Sequence, residues 1–253
     1  MPFHMSAYAS TTLSTTANTD IAAVQDDILA ISNNHFLPQK DYDLVFAYAQ
    51  SATLNRVRLV SPTNRQVTLP FLRPINAGAT PATDPNVADY RSTPFGIQAL
   101  EELALEATSD IAMGNETFIG VVGLQDTYRP VPKGNAFTLR GTSTTASVAN
   151  TWTTLTVTWA DTLPDGLYTC IGLEVVAVTG IAARLIFENQ VLRPGCVGSV
   201  LTGNRTHSMF RLGGLGAWGD FRQTRMPIVQ VLNTAAVSTH TVFLDLVKIR
   251  SEE

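Results

Sequence analysis

The chain has 253 residues, of which 45% are apolar and 15% charged, so it can bury a large core and is not a disordered polyelectrolyte. Seventeen Lys and Arg against 21 Asp and Glu give a formal net charge of −4, which excludes a broad electrostatic attraction for nucleic acid. Two cysteines, Cys170 and Cys196, are too few for a disulfide framework, and are expected either as two reduced, buried small hydrophobes or as a single bridge.

In chain order, residues 1–19 ("MPFHMSAYASTTLSTTANT") form a hydroxyl-rich stretch with no sustained period. They are expected to be a flexible or partner-docked arm, with Phe3, Met5 and Tyr8 as anchors if docked. Residues 20–116 are expected to be a helical and extended region packing on, or contributing to, a sandwich that follows. Asp20 can cap a short amphipathic helix in which Ile21, Val24, Ile28 and Ile31 recur at helical spacing. "YDLVFAYA", "TLNRVRLVSP" and "RQVTLPFLRPI" are strand-like, and residues 76–94 form a loop rich in Pro, Ala and Asp. A second amphipathic helix is predicted where Ile97, Leu100, Leu103, Ala104, Ala107 and Ile111 share a face away from Glu101, Glu102 and Glu106, ending near Gly114.

From residue 117 to 253 the chain alternates strand-like runs with Gly, Pro and Asn punctuation and shows no crossover helices, which predicts an antiparallel β-sandwich. Leu167, Cys170, Val175, Ala177, Leu185 and Phe187 are expected in its core, with a bulge able to shift the register of "IGLEVVAV".

Reactive chemistry is sparse. Gly214, Gly216 and Gly219 match G-x-G-x-x-G literally, but Pro227 and a strand-like "IVQVL" leave no room for the helix that a dinucleotide site needs. His4, His35, His207 and His240 are scattered, with no H-x-H pair and no H-E-x-x-H, and neither cysteine lies in a C-x-x-C unit, so no metal site is expected. Glu174, Glu188 and Asp220 are the candidate carboxylates for glycosidase-type chemistry, yet no spacing joins a pair. "GCVGS" lacks the nucleophile elbow, and the sequons at Asn115 and Asn204 are expected to stay unmodified. The expectation is no catalytic residue, no cofactor and no enzyme activity. Near "NRTHSMFRLGGLGAWGDFRQTR", Arg205, Arg211, Arg222 and Arg225 mix with Phe210, Trp218 and Phe221. The pattern suits single-stranded nucleic acid or a protein interface, and the negative total charge favours the interface. Trp218, Phe221, Arg222 and Arg225 are therefore the candidate subunit-contact residues.

"FTLRGTSTTASVANTWTTLTVTWADTLPDGLYTCIGLEV" followed by "AARLIFENQVLRPG" resembles the jelly-roll coat proteins of icosahedral viruses, bacteriophage capsid proteins in particular. The likeness lies in the succession of strands, with the "LPDGLY" turn delivering one and "RLIF…RPG" closing another. It implies a mainly β fold, an antiparallel jelly-roll-like sandwich with two short amphipathic helices, or a compact double jelly roll. It further implies a self-assembling capsid subunit that associates with copies of itself and with other virion structural proteins. The N-terminal segment has no basic stretch leading into a continuous apolar core, and no apolar run is long enough to span a bilayer. Synthesis in the host cytoplasm and residence in the virion are the corresponding expectations. A spike, attachment or carbohydrate-binding β-sandwich is the alternative reading, and a β-sandwich hydrolase a weaker one.

Overall fold

In the computed structural model, residues 3–10, 13–24, 31–32, 34–50, 54–60, 87–109, 118–188, 191–198 and 208–250 are described. The chain divides into two units, Met5–Leu124 and Gln125–Glu253, the latter joined by Met1–His4. The strands of the first are β1 (Phe3–Ser10), β2 (Thr19–Ile21), β3 (Ile31–Ser32), β4 (His35–Phe36), β5 (Tyr42–Gln50), β6 (Leu54–Val60), β7 (Ala88–Asp89), β8 (Phe95–Ile97), β9 (Ala104–Ser109) and β10 (Phe118–Gln125). Those of the second are β11 (Ala136–Ser143), β12 (Thr153–Leu155), β13 (Thr158–Trp159), β14 (Leu167–Val176), β15 (Gly180–Phe187), β16 (Val191–Pro194), β17 (Cys196–Gly198), β18 (Gly219–Arg222), β19 (Ile228–Asn233) and β20 (His240–Arg250).

The second unit has the pairing order of a jelly roll. Setting aside the short β13 and β17, eight principal strands remain. Within them the first pairs with the eighth (β11 with β20), the second with the seventh (β12 with β19), the third with the sixth (β14 with β18), and the fourth with the fifth (β15 with β16). All four pairs are antiparallel, as in one long hairpin rolled up. The roll is closed by β20 against β14 and β19 against β15, giving two sheets in the manner of a double Greek key. Period-two burial selects the inward faces: Leu139 on β11, Val242, Leu244 and Leu246 on β20, and Cys170, Leu173 and Val175 on β14 are buried. From the other sheet Ala183, Leu185, Val229 and Val231 are buried as well.

Three of those four pairings recur among the described strands of Met5–Leu124. There β1 pairs with β10, β2 with β9, and β5 with both β7 and β8, which act as one interrupted strand. β10 also lies on β5 and β9 on β6, the counterparts of the closing contacts of the second unit. The central β5 is buried on both faces from Leu44 to Ala49. Gly123 on β10 lies so close to Phe46 that a Cβ there would sit 2.0 Å from the ring.

These sheets correct the expectation of two amphipathic helices. Among the described residues the one helical element is the 3-10 turn Ser208–Phe210. Asp20 caps nothing: it lies on β2 opposite Glu106, and Ala23 bridges Tyr8. Residues 25–30 of that expected helix lie outside the described residues. The second expected helix is a strand, a turn and a strand. Leu100, expected inward, is 61% exposed in a left-handed turn (φ +63°), while Glu101 is buried and accepts the Gln98 amide at 3.0 Å. The Leu, Ala and Glu of this stretch favour a helix locally, but intrinsic propensity is worth only tenths of a kcal/mol per residue. Pairing β9 with β6 along its length and with β2 over Leu105–Ala107 satisfies the backbone between them and buries Leu105 and Ala107. Residues 1–19, expected as an arm, contain β1, on which Phe3, Met5 and Tyr8 are buried. The Tyr8 hydroxyl donates to the Leu103 carbonyl at 2.8 Å, and burial pushes its phenol pKa upward.

Candidate functional site

Three polar clusters among the described residues of the second unit hold the residues of interest. The first is a staple on the outer face of the sheet containing β14 and β20. Between Cys170 and Gly172 the register with β20 slips, so Ile171 is the extra residue of a bulge and Gly172 stands opposite Asp245. A Cβ on Gly172 would lie 2.5 Å from Asp245 Oδ2 and 2.9 Å from the Arg211 Cα, so the absent side chain is what lets the segment after the 3-10 turn lie on the sheet. There the Arg211 guanidinium grips Asp245 through Nε (2.6 Å) and Nη2 (2.9 Å) and also donates to Glu174. Asp245 further accepts the Thr138 hydroxyl at 2.6 Å and the Leu212 amide at 3.0 Å. Burial would push the Asp245 carboxyl up, but Arg211, Thr138 and the Leu212 amide outweigh it and hold the group below the usual carboxylate range. The staple leaves neither carboxylate available as an acid or base, and its role is to fix a loop.

That loop contains the G-x-G-x-x-G match. It runs through consecutive turns into β18 with no helix, as expected. Gly216 adopts φ +80° and packs where a Cβ would meet the Arg129 carbonyl at 2.3 Å. The adjacent Ala217 amide donates to that same carbonyl at 2.8 Å.

The second place is an open cleft of about 440 Å³ lined by Leu167, Glu188, Asp220, Phe221, Arg222, Thr224 and Arg225. It brings together three of the four candidate contact residues. Asp220 is held by Arg129 (2.7 Å) and Thr169 (2.7 Å), and Glu188 pairs with Arg225, whose side chain is 65% exposed. Arg222 is exposed at the end of β18. The aromatic pair lies deeper: Trp218 is 1% exposed, and Phe221 is buried with its ring stacked on Tyr168 at 5.9 Å. The folded unit therefore presents the two arginines to solvent and uses the two aromatics as their foundation. Glu188 and Asp220 share this cleft, which spacing in the sequence did not indicate. Glu174 is in the staple instead.

The third place is internal and was missed from the sequence. His240, at the start of β20, faces Ser143 across the ladder and points inward. Its Nε2 lies 3.3 Å from Asn233 Nδ2, which also donates to Ser147 Oγ at 2.7 Å. Burial pushes the imidazole pKa down. The available signal was a lone histidine and a lone asparagine in apolar strand text, "VQVLN" and "HTVFLDL". Asp245 carries the same signal.

The other histidines do not converge. His35 lies in the first unit between Asp20 (Nε2 to Oδ2, 2.8 Å) and Glu102 (Nδ1 to Oε2, 3.6 Å), His4 is on β1, and His207 lies outside the described residues. So do Arg205, Asn115 and Asn204. No group of three or more His, Cys, Asp or Glu among the described residues is arranged to hold a metal ion. Cys170 is a buried thiol directed at the Gly172 carbonyl. Cys196 is in register with Glu174, four residues farther along β14. At ~3.3 Å per residue that offset is ~13 Å, beyond the ~7 Å a disulfide can span. The alternative of a single bridge is thereby removed.

No family of known sequences matches the chain, and no characterised protein matches it by sequence. Among solved structures it is similar to the major capsid protein P2 of bacteriophage PM2, at 9% identity and a TM-score of 0.25, over 97% of this chain and 99% of that one. It is also similar to a chain of the Sulfolobus turreted icosahedral virus, at 10% identity and a TM-score of 0.20, over 100% of this chain and 81% of that one. Overlap of this extent is loose. The jelly-roll order rests on the strand pairings of this chain itself. No helix among the described residues is long and apolar enough to cross a membrane.

Proposed function

We propose that the chain is a structural subunit of an icosahedral viral coat, built to associate with copies of itself rather than to transform a substrate. The observation that carries this reading is that the jelly-roll pairing order of the second unit recurs in the described strands of the first. Jelly rolls serve capsids, lectins and cupins alike, so the fold alone leaves the choice open. The low charge content and the polar groups of the second unit favour a wall. Asp245, Glu174 and Asp220 are each engaged by an arginine in the same unit, and the inward faces of both sheets are filled by apolar core residues.

In this reading the cleft rim is a subunit contact. Arg222 and Arg225 supply directional donors to a neighbouring copy, and Trp218 and Phe221 hold β18 in position beneath them. Partners would be further copies and other virion structural proteins, with synthesis in a bacterial host cytoplasm before incorporation into the particle. The N-terminal strand region and the sheet edges would contribute further contacts. Negative-stain imaging with light scattering of the purified protein tests the proposal: closed shells or their capsomer fragments are expected. A monodisperse small oligomer that binds glycans would favour the attachment reading. Arg222→Ala with Arg225→Glu should reduce assembly while leaving the melting of the unassembled protein within about 1 °C, a change within the usual ±0.5 kcal/mol of surface substitutions. Undiminished assembly would remove the cleft from the contact.

A further inference from the structure

We propose that His240 is an acid-sensitive latch that holds the connections at 144–152 and 234–239 together at one end of the second unit. The argument begins with donors and acceptors. Ser147 joins the two connections: its amide donates to the Val237 carbonyl at 2.8 Å, its hydroxyl donates to that carbonyl at 3.1 Å, and the Val237 amide donates back to Ser147 Oγ at 3.0 Å. Asn233 Nδ2 completes the hydroxyl's bonding at 2.7 Å, while the Asn233 carbonyl accepts the Asn150 amide at 2.8 Å. Asn233 is thus the post to which the first connection is fastened. An amide nitrogen only donates. With the Asn233 amide in this orientation, the 3.3 Å contact assigns His240 Nε2 as the acceptor and the ring proton of the neutral imidazole to Nδ1.

Acid reverses the role of that one atom. Once Nε2 is protonated, two donors face each other, and the amide has to turn to offer Oδ1 instead. Turning it withdraws Nδ2 from Ser147 Oγ, whose own proton is already committed to Val237. The polar atoms left at the site are Asn233 Oδ1 and His240 Nδ1, both buried without a protein partner, and Oδ1 reaches Nε2 only by that turn. Nor does a charge stand by to welcome an imidazolium. Ser143 is the ring's ladder neighbour on β11 and Asn233 its partner on β19, and neither is titratable. Residues 141–160 contain no Asp, Glu, Lys or Arg, and neither do residues 226–244 apart from His240. Glu174 on β14 is paired in register with Phe243, three residues along β20 and on the outer face, where it serves Arg211. Burial alone acts on the ring, and it favours the neutral form.

The experiment is amide hydrogen exchange on the whole protein at pH 7.5 and pH 5.0, corrected for intrinsic rates. Protection at Ser147 and Val237 should fall tenfold or more in acid, while Leu244 and Leu246 in the ladder hold theirs. His240→Gln should abolish the fall. Equal protection at the two pH values in the native protein, or a fall that persists in His240→Gln, overturns the latch. If that variant does not fold, long-range imidazole nitrogen spectra of the native protein decide. A ring protonated only on Nδ1 at pH 7.5, gaining its second proton as the Ser147 and Val237 amides lose protection, supports the latch. A ring protonated on Nε2 at pH 7.5 refutes it.

Discussion

Replacing Asp245 by Ala removes the keystone of the staple on the outer face of β14 and β20. The carboxylate is wholly buried and accepts from Arg211 Nε and Nη2, Thr138 Oγ1 and the Leu212 amide. Breaking a buried ion pair from one side costs about 3–5 kcal/mol, because the remaining charge is stranded. Here Arg211 keeps Glu174 and is 25% exposed, so part of its charge remains solvated. The Thr138 hydroxyl and Leu212 amide lose their acceptor, each a loss of about 1 kcal/mol. The balance is a destabilisation of about 2–4 kcal/mol for Asp245→Ala and somewhat less for Asp245→Asn, which retains an acceptor oxygen. Urea unfolding followed by tryptophan fluorescence measures it cleanly, since all three tryptophans, Trp152, Trp159 and Trp218, lie in this unit. The pH dependence gives a second check. A carboxyl held below its unfolded value stabilises the fold fully above about pH 4 and loses that contribution as pH falls through the folded pKa. The native and Asp245→Asn curves should therefore converge in acid. A loss below 1 kcal/mol at pH 7, or a difference unchanged below pH 3, would refute the staple.

Gly172→Ala should cost about 1–3 kcal/mol in the same assay, because the new methyl meets the Arg211 Cα and the Leu212 nitrogen, backbone that cannot step aside; a neutral result would mean the loop does not lie on the sheet. Trp218→Ala should destabilise the unit by about 3–5 kcal/mol through an unfilled core volume, and wild-type stability with lost assembly would place the ring in a contact instead. Above pH 6.5 the neutral, buried His240 contributes its full share, and acidification below that value lets the unfolded chain take up a proton the folded ring resists. Native stability should therefore fall between pH 6.5 and 5 more steeply than that of His240→Gln, and parallel profiles would contradict the burial of the ring. Mass analysis under non-reducing conditions should find no bridge between Cys170 and Cys196, and a stable intrachain disulfide would contradict the β14–β17 register.

Strand text was legible wherever one face is buried and the other wet. "AFTLRG" and "HTVFLDLVKI" alternate and became β11 and β20, while "AARLIFE" became β15 as an apolar run buried on both faces. The bulge foreseen in "IGLEVVAV" occurs at Ile171, the first residue of that run. Of the expected core positions, Cys170, Val175, Ala177, Leu185 and Phe187 are buried, because period two assigns a face without reference to any partner, whereas Leu167 is half-buried and lines the cleft. Within residues 117–253, expected as strand-like runs and turns, Ser208–Phe210 forms instead the 3-10 turn that leads Arg211 to Asp245.

Local pattern could not settle residues 97–111, where apolar spacing suits a helix and a strand alike. The two neighbouring strands decided it, since cooperative ladder pairing outweighs small propensity differences. Every polar cluster likewise depends on long-range pairing: Arg211 meets Asp245 across 34 residues, and Asn233 meets Ser147 across 86. Composition and alternation depend only on each residue and its chain neighbours, so the sequence by itself determined a mainly β, apolar-cored chain with little exposed chemistry. Pairing order, the repetition of the jelly roll and the partners of each buried charge depend on which distant strands lie side by side, and only the tertiary structure decided those.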